Sequence, residues 1–275
     1  RGVDRMMGAS RHASELRQVI GRVYLVGAGP GSPDLLTLRA VRLLEQADIV
    51  YFDALVHPDT LALARRAKRV SVGKRAGRVS TDQRFINRHL VEAAAQHRTV
   101  VRLKGGDPMM FGRAQEEIDV LKRAGVPFEV VPGITAAAAA SADLGVSLTR
   151  RGSSRSVTFA TPRIGPGEGD SEWAAQAAAA DTAVLYMAGS ARAETAAALM
   201  AEGVDAGTPV VVVQNASLPG SRRSATTLSR LADLPVDESQ GPVLLLLGEV
   251  YRELLDEIPA GVGVPARTES RSAAL

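Results

Sequence analysis

A chain of 275 residues with 45% hydrophobic, 23% charged and 4% aromatic residues has the balance of a globular protein that can bury a sizeable core, which argues against wholesale disorder. The complete lack of cysteine excludes disulfides, thiol nucleophiles and thiolate metal sites, and four scattered histidines show no metal-ligand spacing. The formal charge is only +3, so any anion binding has to come from local clusters of Lys and Arg rather than from bulk charge.

From Gly21 onward, short β-branched apolar runs alternate with segments whose apolar spacing fits helices, the pattern of a parallel sheet with crossover helices. Strands are predicted at 22–26, 48–52, 70–72, 99–103 and 128–131, with helices at 35–46, 58–66, 82–96 and 113–124. The turn Pro132-Gly133 closes a first half spanning 21–133. A second half, 134–256, begins with an Ala-rich helix at 135–142. It continues with strands at 156–160, 183–187, 209–214 and 243–247 and helices at 190–202 and 249–255. Residues 162–170 read as a Gly/Pro loop. Residues 1–20 and 257–275 are expected to be tails. The longest apolar runs fall far short of the ~20 residues that cross a bilayer. The opening residues lack a secretory signal pattern, so a cytoplasmic protein without a membrane partner is expected.

Two basic stretches contain no acid: Arg65, Arg66, Lys68, Arg69, Lys74, Arg75 and Arg78, then Arg150, Arg151, Arg155 and Arg163. They read either as solvated surface or as loops that receive a carboxylate-rich or phosphorylated ligand. Only one aromatic residue, Phe159, is interleaved with them, which argues against single-stranded nucleic acid.

The first strand runs into Gly27-Ala28-Gly29-Pro30-Gly31-Ser32, and the fourth into Lys104-Gly105-Gly106-Asp107-Pro108. Glycines let a backbone turn tightly and bring its N–H groups against a ligand. Both turns lie at the carboxyl edge of the predicted sheet, where open α/β folds bind small molecules, and one crevice is expected to be lined by both. A nicotinamide-dependent oxidoreductase is one reading of the first loop, with Asp53 holding a ribose hydroxyl. Ser32 in place of the third fingerprint glycine, and Pro30 inside the motif, weaken it.

Taken in order, GlyAlaGlyProGly (27–31), AspAlaLeuVal (53–56), ValGlyLysArg (72–75), ValValArgLeuLysGlyGlyAspPro (100–108), PheGlyArg (111–113), ValValProGlyIleThrAla (130–136), TyrMet (186–187) and GlyGluVal (248–250) resemble the uroporphyrinogen-III C-methyltransferases of the tetrapyrrole methylase family. The likeness extends from about Gly21 to Leu255. It implies two αβα domains with a cofactor cleft between them, a homodimer, and S-adenosylmethionine as methyl donor. The donor, or its product S-adenosylhomocysteine, would contact Pro30, Gly105, Gly106, Asp107, Met110, Thr135, Ala136, Met187 and Ala216. Asp53, Lys74, Arg113 and Glu116 are the implied catalytic residues. Arg75, Arg113, Arg150 and Arg151 would anchor the carboxylates of uroporphyrinogen III, methylated at C2 and C7 to precorrin-2 in sirohaem- or cobalamin-type synthesis. The chain departs from residues usual in the family at Ser32, Ala114-Gln115, Arg150, Pro162-Arg163 and Ser221. Another precorrin methylase and a non-catalytic tetrapyrrole carrier stay open beside this expectation.

Overall fold

The computed structural model describes residues 20–73, 83–165, 169, 171–258 and 264–265. The chain divides into two compact units. One takes the chain up to Gly27 with Thr37–Lys104 and Pro108–Pro132; the other takes Ala28–Leu36, Gly105–Asp107 and the chain from Gly133 onward.

In the first unit strands and helices alternate: β1 (Arg22–Gly27), α1 (Leu38–Gln46), β2 (Ile49–Phe52), α2 (Pro58–Ala62), β3 (Lys68–Ser71), α3 (Gln83–Gln96), β4 (Thr99–Lys104), α4 (Ala114–Arg123) and β5 (Phe128–Val131). All pairings are parallel, in the order β3-β2-β4-β1-β5, as the alternation predicts. Val23, Leu25, Val100, Val101 and Leu103 are fully buried, because a parallel sheet carries helices on its faces. Two helix boundaries differ from expectation by three residues or more. Pro33–Leu35 forms a separate 3-10 turn, and α1 starts only at Leu38, where the Thr37 side chain accepts a hydrogen bond from the Ala40 amide at 3.2 Å. Helix α2 stops at Ala62, short of 66, and the Arg69 guanidinium caps the turn that follows by donating twice to the Ala64 carbonyl at 3.2 and 3.1 Å. Arg69 is thus occupied by its own backbone.

The second unit holds α5 (Ala136–Leu144), β6 (Val157–Ala160), α6 (Trp173–Ala178), β7 (Thr182–Tyr186), α7 (Arg192–Ala201), β8 (Pro209–Gln214), β9 (Arg222–Thr227), β10 (Val243–Gly248), α8 (Leu254–Glu257) and β11 (Val264–Pro265). Here the parallel expectation fails. In the order β11-β9-β8-β10-β7-β6 only β6 and β7 run parallel. Strands β8 and β9 are joined by seven residues, 215–221, too few for a crossover helix, so the chain turns back as a hairpin. The predicted helix at 249–255 is a 3-10 turn, Glu249–Tyr251, followed by the four residues of α8. Alternation sends Val184, Val211, Val213, Leu244 and Leu246 into one apolar layer, and Leu185, Val210, Val212, Leu245 and Leu247 into the opposite one. No helix among the described residues is long and apolar enough to cross a membrane.

Candidate active site

Strands β1 and β4 pair in parallel with Gly27 opposite Lys104, so the two glycine loops leave the sheet in register. Two residues on, the loops join. Gly29 N–H donates to the Gly106 carbonyl at 3.1 Å and Gly106 N–H to the Gly29 carbonyl at 2.7 Å, an isolated antiparallel bridge. Gly106 has φ +67°, the left-handed region that glycine occupies at no steric cost, and a Cβ there would point into open space. The geometry therefore leaves a bare backbone surface beside the bridge.

Further segments of the second unit are tied to these loops. Ser32 N–H donates to Ser217 Oγ at 3.1 Å, and Ser217 N–H donates to Asp143 Oδ2 at 2.7 Å. Asp107 Oδ2 accepts the Gly133 N–H at 2.9 Å, holding the second glycine loop against the entry to α5. The N-cap residue of α5, Thr135, makes no side-chain capping bond to the helix. Tyr186 substitutes for it, because its hydroxyl lies 2.5 Å from Thr135 Oγ1 and accepts the Ala137 N–H at 3.3 Å. Burial raises the Tyr186 pKa, against the opposing pull of these two hydrogen bonds.

Of the residues implied for cofactor contact, Pro30, Gly105, Gly106, Asp107, Thr135, Ala136, Met187 and Ala216 belong to this unit, and Met110 to the other. Pro30 and Met110 are half-buried, Ala216 is buried and Met187 is exposed. Five described non-glycine residues have left-handed φ angles: Phe111, Arg113, Met187, Asn215 and Ser217. Such a conformation costs an L-residue roughly 1–2 kcal/mol. All five lie on or beside implied site residues, the distribution expected where strain is retained for function.

In the first unit, Asp53 follows β2, and its side chain is 28% exposed. Its Oδ1 accepts from Arg102 Nη2 at 2.7 Å. Arg102 is itself buried on β4 and donates through Nε to Glu117 Oε1 at 3.0 Å and through Nη1 to the Leu103 carbonyl at 3.1 Å. Glu117, fully buried on α4, also accepts from Lys104 Nζ at 3.1 Å on both oxygens and from Gln83 Nε2 at 3.2 Å. Burial pulls the Arg102 pKa down, yet Glu117 and Asp53 outweigh it and hold the group above the ordinary arginine value. For Lys104, burial and then the neighbouring Arg102 push the pKa below the ordinary lysine value, against the attraction of Glu117 and Asp53.

Arg113 caps α4 in a left-handed conformation and forms a bidentate pair with Glu116, Nε to Oε1 at 2.7 Å and Nη2 to Oε2 at 2.9 Å. Both side chains are at least half exposed. In the second unit Arg150 and Arg151 are exposed, and Arg150 lies 3.5 Å from Glu253. The implied Lys74 and Arg75 lie outside the described residues.

The second unit supplies a bare, strained backbone cradle, the first a half-open carboxylate held by a buried guanidinium, and each carries exposed arginines. Such groups suit positioning, proton removal and carboxylate binding respectively. Sequence reasoning passed over the partners Arg102, Lys104, Glu117 and Tyr186. The signal for the first two was legible, since a charged pair at i and i+2 on a central strand shares one face and must find buried partners.

The chain matches the family model described as Tetrapyrrole (Corrin/Porphyrin) Methylases over residues 22–232. It is 46% identical over 237 residues to the siroheme synthase of Azotobacter vinelandii, a match covering 86% of this chain and 51% of that protein. It thus spans about half the length of the curated relatives it matches. Among solved structures, the uroporphyrin-III C-methyltransferase of Thermus thermophilus complexed with S-adenosylhomocysteine is similar with a TM-score of 0.75 and 42% identity, covering 85% of this chain and 100% of that one. A cobalt precorrin-4 methyltransferase is similar with a TM-score of 0.70 and 28% identity, covering 83% and 95%.

Proposed function

Because the chain belongs to the tetrapyrrole methylase family, we propose that it methylates uroporphyrinogen III at C2 and C7 with S-adenosylmethionine, giving precorrin-2 for sirohaem- or cobalamin-type synthesis. The observation that carries this reading is the 42% identity spanning the whole of the Thermus thermophilus uroporphyrin-III C-methyltransferase. The second reading, a methylase of a later precorrin, draws on the more distant likeness to the cobalt precorrin-4 enzyme.

The residues present fit S-adenosylmethionine. The bridged Gly29–Gly106 backbone leaves room that a Cβ at Gly106 would fill, and the exposed Met187 offers apolar contact. When bound, the cofactor supplies an electrophilic methyl group, and displacement at that methyl needs the reacting atoms nearly in line. The chain's own task is to orient. Asp107, fixed through Oδ2 to the Gly133 amide, keeps the second glycine loop in place. Asp53 takes the proton that the methylated macrocycle must release, with Lys74 as an acid or carboxylate anchor. Arg75, Arg113, Arg150 and Arg151 bind substrate carboxylates, for which guanidinium is suited by its bidentate fork.

Incubation with uroporphyrinogen III and labelled S-adenosylmethionine, followed by product mass, tests the proposal. Two added methyl groups are expected, and tight NAD binding without S-adenosylhomocysteine binding would overturn it. In this reading the protein works in the cytoplasm as a homodimer, without nucleic acid or membrane partners. Light scattering at micromolar concentration should give twice the chain mass, and a monomer would remove the dimer from the proposal.

For Arg113 the expected outcome is a change of partner. In the free protein its fork is held by Glu116, a helix-surface pair worth only ~0.2–0.5 kcal/mol, so exchange for a substrate carboxylate worth roughly 1.5–3 kcal/mol is favourable. Arg113→Ala should lower kcat/KM about ten- to a hundredfold while S-adenosylhomocysteine affinity stays unchanged. Arg113→Lys should recover only part of the loss. Wild-type activity of Arg113→Ala below substrate saturation would return Arg113 to a purely local pair.

A further inference from the structure

The first unit's core contains four charged side chains in series, and one of them is more than a few per cent open to solvent. Lys104 and Arg102 are 3% and 2% exposed, Glu117 is 0% exposed, and Asp53 at the end of the series is 28% exposed. Buried ion pairs of this kind are rarely more stabilising than well-packed apolar residues, so their presence in the core calls for a reason other than stability. The geometry supplies one. All three guanidinium nitrogens of Arg102 are committed, Nε to Glu117, Nη1 to the Leu103 carbonyl and Nη2 to Asp53, so the group cannot rotate and the Asp53 carboxylate inherits its orientation. Glu117 is fixed in turn by Lys104 and Gln83. Even the backbone makes room for the series. A Cβ on Gly112 would sit 2.7 Å from the Pro108 carbonyl oxygen and 3.1 Å from Lys104 Cε, so any larger residue there would press on the lysine stem.

We infer that Arg102 is a positioning residue for Asp53, and that Glu117, braced by Lys104 and Gln83, is the buried anchor that fixes Arg102. The inference rests on the reading of Asp53 as the proton acceptor. It predicts that Arg102 acts on turnover through Asp53 alone. Arg102→Lys retains the charge and most of the length but cannot donate from one rigid plane to three acceptors.

The test is a double-mutant cycle on the full chain, with Asp53→Asn, Arg102→Lys and the pair. Uroporphyrinogen III is the substrate, and rates are normalised to titrated S-adenosylhomocysteine sites so that only folded protein is counted. Arg102→Lys is expected to lower kcat by about ten- to a hundredfold, since small misplacement of a reacting group has effects of that order. KM and S-adenosylhomocysteine affinity should stay within about twofold, because the backbone cradle is untouched. In the Asp53→Asn background the Arg102 change should add no further loss. Glu117→Gln should repeat the pattern more weakly, and it takes the place of Arg102→Lys in the cycle if that variant is insoluble. Losses that multiply, or wild-type kcat in both Arg102→Lys and Glu117→Gln, would overturn the positioning role while leaving Asp53 in the mechanism. Wild-type kcat in Asp53→Asn itself would overturn the reading of Asp53, and the positioning role with it. That outcome is recognisable from the single variant.

Discussion

Glu117→Ala is expected to lower stability by about 3–5 kcal/mol, the range for removing one partner of a buried ion pair. Glu117 accepts from Arg102, Lys104 and Gln83 with no solvent exposure, and its loss leaves two buried cations with Asp53 as their remaining carboxylate. Against a typical folding free energy of about 5–15 kcal/mol, that brings the chain near its limit. The pH dependence has a definite sign. Lys104 already binds its proton less tightly in the folded state than in the unfolded one, because of burial and then Arg102; removing Glu117 takes away an interaction that favours the charged form. Where the unfolded chain binds the extra proton, stability rises with pH, so the deficit of Glu117→Ala should shrink between neutral pH and the ordinary lysine pKa, by up to about 1.4 kcal/mol per pH unit. Urea denaturation of wild type and variant at neutral pH and near pH 9 measures it. A deficit that is small, or that grows with pH, would show that Lys104 does not depend on Glu117. Replacing Arg102, Lys104 and Glu117 together by methionine should restore much of the stability, because no fully buried charge is orphaned and Asp53 can turn to solvent, without restoring turnover.

Much of the first unit was legible in the sequence, because parallel strands buried on both faces announce themselves as apolar runs such as Val100-Val101 and the helices between them carry period 3.6. The second sheet was less so. Strand β9, ArgArgSerAlaThrThr, has no apolar run, since among its residues only Ala225 and Thr226 are buried. Helix α6 is six residues of mostly alanine, which carries little amphipathic signal. For the site, the glycine loops could be read directly, since a conformational need for glycine is written in the residue itself. Their joining could not be read so easily. It depends on Gly27 standing opposite Lys104, a register set by pairing residues 77 positions apart in the chain. The same holds for Tyr186, whose capping of α5 is a contact between residues 49 positions apart. Single residues with special chemistry were visible, and pairs made by the fold were visible only where the pattern was odd, as with Arg102 and Lys104 on a central strand.

Asp53→Asn is expected to lower kcat by about 10²–10⁴-fold, the usual contribution of a positioned general base. A pyrrole carbon of a porphyrinogen is electron-rich enough to attack a sulfonium methyl without an activated side chain. The methylated ring then carries positive charge until it releases a proton, so the acceptor acts after carbon–carbon bond formation. Asparagine preserves the shape and can still accept from Arg102 Nη2 through its amide oxygen, so the loop after β2 should keep its course. What it loses is the capacity to take a proton. The residues proposed for cofactor contact, apart from Met110, belong to the other compact unit, so S-adenosylhomocysteine affinity measured by calorimetry should match wild type. If Asp53 instead held a ribose hydroxyl, as the oxidoreductase reading requires, affinity for the nucleoside ligand would fall first and turnover only in consequence. The two roles therefore separate in one pair of measurements: a kcat effect at constant affinity assigns Asp53 to proton transfer, and a loss of affinity at saturable, near-normal kcat removes it from that role. The asparagine variant also leaves Glu117 as the remaining carboxylate facing Arg102 and Lys104. Its Tm should therefore fall, but less than that of Glu117→Ala, because Asp53 meets solvent and contacts only one of the two cations.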